Sequence, residues 1–208
     1  MTHRSSFSMT NDALYRPVGA WPNDDVVARA ARVRLLILDV DGVLTTGYLD
    51  YDDIGEATKS FYVQDGLGLQ LLRQQGIVLA IISGRDSKVT ASRAADLKIH
   101  HVLQGAQDKG AALVQLLDTV GITARECAYI GDDVIDLPIL RAVGFAVSVP
   151  NGHVLAREAA HWVTTQVGGA GAVRELSELI LYAQDKLLTA YAPYLATPNA
   201  EQPRLEIV

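Results

Sequence analysis

The chain has 208 residues, of which 49% are hydrophobic and 20% charged, which is enough for one α/β domain with a sizeable core. Its net charge of −6 and scattered basic residues give no electrostatic reason to expect nucleic acid or an anionic membrane as a partner. One cysteine, Cys127, excludes an intrachain disulfide, and the sequence lacks a membrane-length apolar stretch, so we expect a cytoplasmic protein.

Residues 1–30 have no clear periodicity, and we interpret them as an N-terminal arm. From residue 33, short apolar runs alternate with longer mixed segments, a pattern typical of strands joined by crossover helices. Strands are predicted over residues 33–39, 77–83, 100–103, 127–131, 145–149 and 161–164. Helices are predicted over residues 65–75, 86–97, 108–120, 133–143 and 153–160. The pattern predicts an α/β fold with a doubly wound, Rossmann-like parallel sheet.

One interval, residues 45–63, breaks this alternation. It contains two β-prone stretches separated by acidic and glycine turn residues, which predicts a hairpin. Because the hairpin follows the first strand directly, we expect it to cover the edge of the sheet as a minimal β-hairpin cap.

The C-terminal part contains a glycine-rich turn, Gly168 to Gly171, followed by a predicted helix over residues 172–191 with one apolar stripe. Proline-rich residues 192–208 are interpreted as a loose tail. The predicted organisation is therefore one domain over residues 31–191, between an arm and a tail.

Two carboxylates, Asp39 and Asp41, stand directly after the first apolar run. In an extended chain, residues two apart point to the same side, so both carboxylates face one space and repel each other. This repulsion indicates a site that holds a cation or a shared proton.

Polar residues also follow other predicted strands or begin the helices after them. Parallel strands bring such positions to one edge of the sheet, where carboxylates, a hydroxyl and an ammonium group converge. Oxygen ligands suit Mg²⁺, while a helix N-terminus and a lysine suit a phosphate. The residues concerned are Asp39, Asp41, Ser83, Gly84, Arg85, Lys109, Asp132, Asp133 and Asp136.

These motifs resemble those of the haloacid dehalogenase superfamily of phosphatases over residues 33–186. The superfamily has a D-x-D-G-V motif, a Ser or Thr after the second strand, a following Lys and a G-D-D-x-x-D motif. By this resemblance, the catalytic residues are Asp39, Asp41, Ser83 and Lys109. The metal is Mg²⁺, held by Asp39, Asp41 and Asp132 with Asp133 and Asp136 behind them.

The resemblance also implies a mechanism. Asp39 attacks phosphorus and forms an aspartyl-phosphate, and Asp41 protonates the leaving oxygen and then activates water. The second aspartate distinguishes this pattern from the dehalogenases and the P-type ATPases, and it favours hydrolysis of a phosphomonoester.

Shorter motifs around Phe61, Arg85, Gln104 and Gly168 resemble those of one subfamily of these phosphatases. Enzymes of that subfamily hydrolyse the 8-phosphate of an eight-carbon keto acid on the path to lipopolysaccharide. Members of that subfamily form homotetramers in which a neighbouring subunit closes each active site. The resemblance assigns substrate binding to Asp41, Tyr62, Val63, Gln64, Asp65, Gly66, Gln70, Gly84, Arg85, Arg93 and Lys109.

Three positions depart from the subfamily pattern. Gln64 and Gln70 stand where arginine is frequent, and Ala170 replaces a frequent basic residue. Glutamine lacks the charged, bidentate grip of arginine on a carboxylate. Three alternatives therefore stay open, namely a phosphatase for a nine-carbon keto acid phosphate or other sugar phosphates, phosphotransfer to an acceptor other than water, and a non-catalytic oligomerisation module.

Overall fold

The computed structural model describes residues 10–17, 19–53 and 55–196. Six parallel strands form a sheet in the order β5, β4, β1, β6, β7 and β8, and two antiparallel strands, β2 and β3, form a separate hairpin. The strands are β1 (Leu35–Leu38), β2 (Asp50–Asp52), β3 (Gly55–Thr58), β4 (Val78–Ile82), β5 (His101–Leu103), β6 (Cys127–Ile130), β7 (Phe145–Ser148) and β8 (Trp162–Val163). The predicted α/β class and parallel sheet are confirmed.

Helices cover both faces of the sheet. They are α1 (Asn11–Leu14), α2 (Asp24–Ala30), α3 (Val63–Gln74), α4 (Lys88–Asp96), α5 (Lys109–Val120), α6 (Leu137–Leu140), α7 (Val154–Ala159), α8 (Ala172–Ala183) and α9 (Leu187–Leu195). Two short 3₁₀ turns cover Ala124–Glu126 and Val134–Asp136.

The central strand β1 shows why its sequence is an unbroken apolar run. Leu36 and Leu38 pack in one hydrophobic cluster with residues of α3 and α8, whereas Leu35 and Ile37 pack in a second cluster with residues of α5 and α6. All four side chains are fully buried. A parallel strand covered by helices on both faces has no polar side, so alternation is absent from its sequence.

Two predicted helices differ from the structure. The predicted helix at 133–143 is a 3₁₀ turn followed by the short α6, and a capping box of Asp133 and Asp136 forms the start of the turn, where Asp136 accepts the backbone N–H groups of Asp132 and Asp133. The predicted helix at 172–191 breaks at Asp185, whose φ is 57°. There the amide of Gln184 donates to the carbonyl of Val33 at 2.7 Å, which anchors the break to the start of the sheet.

The segment assigned to an N-terminal arm packs against the domain from residue 10 onwards. Tyr15 is buried, its ring stacks on Tyr182 of α8 with 4.4 Å between the centroids, and α2 also packs on α8. Residues 1–9 lie outside the described residues. At the other end α9 runs through Pro193 to Leu195, so the first residues assigned to the tail are helical, and residues 197–208 lie outside the described residues.

The topology places a crevice at one edge of the sheet. Strand β1 pairs with β4 on one side and with β6 on the other. The sheet strands β4 and β5, which precede β6 in the chain, therefore lie on one side of β1, and β6 and the later strands lie on the other side. Ligands of open α/β sheets bind at such a reversal, outside the carboxyl ends of the strands. Residues that follow β1, β4 and β6 are therefore in the position where a ligand binds.

Candidate active site

The carboxyl ends of the central strands hold the predicted catalytic residues. Asp39 follows β1, Ser83 follows β4, Asp132 follows β6 by one residue, and Lys109 is the first residue of α5. Asp39, Ser83 and Lys109 are buried, although all three are polar. Burying polar groups is unfavourable unless they have partners, so this group is built for a purpose other than packing.

An ion triad forms the centre of this site. The Lys109 ammonium lies 2.7 Å from Asp39 Oδ1 and 2.6 Å from Asp136 Oδ1, and all three side chains are almost fully shielded from solvent. The hydroxyl of Tyr129 donates to Asp136 Oδ1 at 2.5 Å and lies 3.3 Å from the ammonium. Lysine thus joins the end of β1 to the turn after β6, and Tyr129, which sequence reasoning did not identify, completes the network.

Burial and neighbouring charges shift the pKa values of residues in and beside this network. Burial raises the pKa of Asp39 to about 6, against the opposing effect of Lys109 and with a further rise from Asp136. Burial raises the pKa of Asp132 to about 8, and repulsion from Asp39, Asp136 and Asp133 adds to the rise. Burial acts to lower the pKa of Lys109, but the charges of Asp39 and Asp136 outweigh it and raise that pKa.

The chemistry of the carboxylates fits a divalent cation. Oxygen atoms of Asp39, Asp132 and Asp136 lie within 4.8 Å of one another, and Asp132 Oδ1 is buried with no hydrogen-bond partner among the described residues. Gly42, at a φ of 94°, makes room for Asp132, because a Cβ atom there would lie 2.1 Å from Asp132 Oδ2. A hard cation bound by these oxygens would offset the repulsion between the carboxylates and give the unpaired oxygen of Asp132 a partner.

Asp136 and Asp133 support this site in other ways. Asp136 Oδ1 is engaged by Lys109 and Tyr129, and Asp136 Oδ2 accepts the backbone N–H groups of Asp132 and Asp133 at 2.9 and 3.0 Å. Asp133 is exposed and caps the 3₁₀ turn through the backbone N–H of Val134. The oxygens best placed for a cation therefore belong to Asp39 and Asp132.

Asp41 lies at the rim of the crevice and is held from two sides. One carboxylate oxygen pairs with the ammonium of Lys59, and the other lies 3.8 Å from Nε of Arg85. A terminal nitrogen of Arg85 also donates to the hydroxyl of Tyr51 in the hairpin at 2.8 Å. Lys59 was not predicted, because a single lysine after a hairpin has no sequence signal that separates it from a surface lysine.

The glycine-rich turn packs against the loop that follows Asp39. The backbone N–H of Gly169 donates to the carbonyl of Val43 at 2.8 Å, and a Cβ atom at Gly168 would lie only 1.7 Å from the carbonyl oxygen of Gly42. No side chain fits between these backbones. The turn thereby fixes the loop that carries both aspartates.

The predicted substrate-binding residues divide into two groups. Arg85 and Gly84 lie at the crevice, and Gly84 is contacted by the amide of Gln107. Arg93 lies over the ring of Phe61 at 5.6 Å and next to Gly66.

The other group surrounds the first turn of α3 and has different neighbours. Tyr62 and Gln64 line a cavity of about 560 Å³ together with Arg174, and none of its described lining residues belongs to the ion triad. Val63 is exposed and Gln70 is half-buried. Asp65 is buried, and its carboxylate accepts the backbone N–H of Arg174 at 2.7 Å, so it caps the start of α8.

Comparison with known proteins agrees with this geometry. The family model for haloacid dehalogenase-like hydrolases matches residues 95–176. The 3-deoxy-D-manno-octulosonate 8-phosphate phosphatase of Yersinia pestis is 47% identical over 176 residues, which is 85% of this chain and 92% of that protein. The enzyme of the same name from Escherichia coli K12 is 44% identical over 83% of this chain and 90% of its own length.

Solved structures show the same relationship. The structure of the 3-deoxy-D-manno-octulosonate 8-phosphate phosphatase from Moraxella catarrhalis, in complex with magnesium, phosphate and KDO, superposes with a TM-score of 0.81 at 47% identity, over 83% of this chain and 99% of that one. The cobalt-bound enzyme from Haemophilus influenzae gives a TM-score of 0.75 at 43% identity, over 76% and 93%. The fold and the site define a haloacid dehalogenase-like hydrolase. Within that class, this chain belongs to the family of 3-deoxy-D-manno-octulosonate 8-phosphate phosphatases.

The raised pKa values predict how metal binding depends on pH. Because Asp39 and Asp132 bind protons more tightly in the folded chain, their contribution to the stability of the metal-free protein is complete below about pH 4 and is lost as pH rises through about 8. Mg²⁺ replaces those protons, so we expect it to raise the melting temperature more at about pH 8.5 than at about pH 6.

Differential scanning fluorimetry with and without Mg²⁺ measures this shift. Asp132→Asn should remove most of it, whereas Asp118→Asn, which changes an exposed carboxylate of α5 outside the site, should retain it. An equal Mg²⁺ shift at both pH values, or a full shift in Asp132→Asn, would contradict the assignment.

Asp65 offers a second prediction, because a helix cap and a substrate contact respond differently to mutation. Asp65→Ala removes the acceptor for the start of α8 and should lower the free energy of unfolding by about 1 kcal/mol. Asp65→Asn keeps one acceptor oxygen and should lose less. Urea denaturation gives these values, and a fall in kcat/KM with unchanged stability would favour the substrate contact instead.

Proposed function

We propose that this protein is a Mg²⁺-dependent phosphomonoester hydrolase that releases phosphate from 3-deoxy-D-manno-octulosonate 8-phosphate through an aspartyl-phosphate intermediate. The observation that carries the proposal is the buried Asp39, which is paired with Lys109 and adjacent to the unpaired oxygen of Asp132. The extensive identity to phosphatases of that name supports the choice of substrate. In this role the protein acts in the cytoplasm, in the synthesis of lipopolysaccharide precursors.

The nucleophile in the proposed reaction is the Asp39 carboxylate. It forms a bond to phosphorus while the bond from phosphorus to the sugar oxygen breaks, and Asp41 delivers a proton to that oxygen. Asp41 then takes a proton from water, the water oxygen attacks phosphorus, and the bond to Asp39 breaks to release phosphate.

Other residues prepare these steps. Lys109 fixes the orientation of the Asp39 carboxylate and offsets negative charge beside it. In this proposal Ser83, at the end of β4, holds phosphate oxygens together with backbone N–H groups that follow it. When bound by Asp39, Asp132 and the backbone of Asp41, Mg²⁺ supplies positive charge that lowers the repulsion between phosphate and carboxylates.

Phosphate release from a panel of substrates tests this function. The panel contains eight-carbon and nine-carbon keto acid phosphates and hexose 6-phosphates, each with and without Mg²⁺. We expect kcat/KM for the eight-carbon compound to exceed that for the hexose phosphates by at least about 100-fold, since a site built to bind polar groups rejects ligands that lack them.

Variants make the outcome of this panel specific to the proposed chemistry. Asp39→Asn should lower kcat by at least about 10⁴-fold, as loss of a nucleophile does in other enzymes, while Asp118→Asn, at an exposed position of α5, retains activity. A preference for the nine-carbon acid or equal rates on all substrates would overturn the substrate assignment. No turnover of any phosphate would favour a non-catalytic module.

We further propose that the chain acts as a homotetramer in which the hairpin contacts a neighbouring subunit. Large apolar side chains are exposed on and after the hairpin, with 82% of Tyr48, 61% of Tyr51 and 76% of Val63 accessible to solvent. We propose that these side chains join into one exposed apolar patch, which is typical of a protein contact surface. The first turn of α3, which carries Gln64, then lies beside a subunit boundary.

Light scattering coupled to size-exclusion chromatography tests this assembly. The wild-type protein should have four times the 22.4 kDa mass of one chain. Tyr48→Asp should lower that mass, because it places a charge in the contact, whereas Val114→Asp, at an exposed position of α5, should not. A monomeric wild-type protein would contradict the proposal.

A further inference from the structure

Lys59, at the end of the hairpin, contributes a buried charge to the crevice. Lys59 is the first residue after β3, its side chain is 1% exposed, and its ammonium contacts Oδ1 of Asp41. Asp41 itself lies in the loop after β1, 18 residues earlier in the chain. This contact therefore joins the cap to the loop that carries both predicted catalytic aspartates.

Stability alone is a poor explanation for this pair. Ordering a buried lysine side chain costs conformational entropy, and moving its charge out of water costs more. Buried ion pairs are often no more stable than apolar side chains of similar volume. Stabilisation of the fold therefore does not account for the pair. Because Asp41 lies at the rim of the crevice, the pair is placed to affect proton transfer by Asp41.

Asp41 needs a defined orientation to act on a leaving group. A general acid has to lie within hydrogen-bond distance of the oxygen that it protonates, and a misplacement of 1 Å can lower the rate about 100-fold. Arg85 Nε approaches the second oxygen of Asp41 only to 3.8 Å, whereas the Lys59 ammonium is in direct contact with the first. Lys59 is thus the closer of these two cations.

Given the phosphatase function proposed above, we propose that Lys59 is a positioning residue that orients Asp41 toward the leaving oxygen. The hairpin then does more than cover the crevice, because its position sets the geometry of proton transfer. A shift of the hairpin moves Lys59 and alters the orientation of Asp41 without displacing Asp39 or Lys109, which are held by the separate ion triad.

Two kinds of substrate separate this role from a purely structural one. An alkyl phosphate, such as the best sugar phosphate of the panel, requires a proton on its leaving oxygen, whereas p-nitrophenyl phosphate has a leaving group that departs without one. We expect Lys59→Met to lower kcat/KM for the alkyl phosphate by about 100-fold and for p-nitrophenyl phosphate by less than about tenfold. KM for the alkyl phosphate should change by less than about threefold.

Further variants sharpen this experiment. Lys59→Arg keeps the charge and should restore much of the activity, and Lys98→Met, which alters an exposed lysine, should match the wild type. In an Asp41→Asn background, Lys59→Met should have little further effect, because the group that it positions is already gone. Thermal unfolding of each variant shows whether the fold is retained.

Each outcome bears on one of the two proposals. Equal losses on both substrates by a folded Lys59→Met, or full additivity with Asp41→Asn, would overturn the role of Lys59 while the phosphatase function stands. A rise in KM with unchanged kcat would instead assign Lys59 to substrate binding. Wild-type protein that hydrolyses neither substrate would overturn both proposals.

Discussion

The site depends on one buried ammonium group placed between two carboxylates. Lys109 begins α5, Asp39 ends β1, and Asp136 lies in the turn after β6, so a single cation joins three separate elements. Without it, the buried carboxylates would repel each other or take up protons. With it, Asp39 stays close to Asp132 in a crevice where a further cation is favourable. Catalytic geometry and local stability thus have the same electrostatic origin.

Much of this arrangement could be predicted from sequence, because a parallel sheet converts chain order into spatial order. Once the apolar runs are recognised as strands, residues that follow them must meet at one edge. Asp39, Lys109 and Asp132 therefore converge whatever the details of the helices. Asp136 could be placed near them only approximately, because its hydrogen bonds depend on how the turn after β6 closes on itself.

The features that sequence could not supply are contacts between distant segments. The end of α8 at Ala183 reflects the bond from the Gln184 amide to the carbonyl of Val33, and the apolar stripe alone suggested a longer helix. Packing of Tyr15 on Tyr182 likewise connects two segments with no shared periodicity. Lys59 is a further example of such a contact, because its ion pair with Asp41 joins two segments that the sequence pattern does not connect. Local patterns determine elements, whereas partners across the fold determine which polar residues are buried.

The residues proposed for phosphoryl transfer and those proposed for binding the sugar acid lie in different parts of the fold. The ion triad and Asp132 lie at the carboxyl ends of the central strands. The glycine-rich turn packs against the loop after Asp39 through backbone contacts. Gln64, in contrast, lies at the exposed start of α3, beside a cavity that the ion triad does not line among the described residues. A substitution from arginine to glutamine there leaves the buried charges untouched. Specificity for the sugar acid can therefore change at α3 and the hairpin while phosphoryl transfer is preserved. A change in the hairpin would reach the chemistry through the contacts near Asp41, which Lys59 makes directly and Tyr51 makes through Arg85.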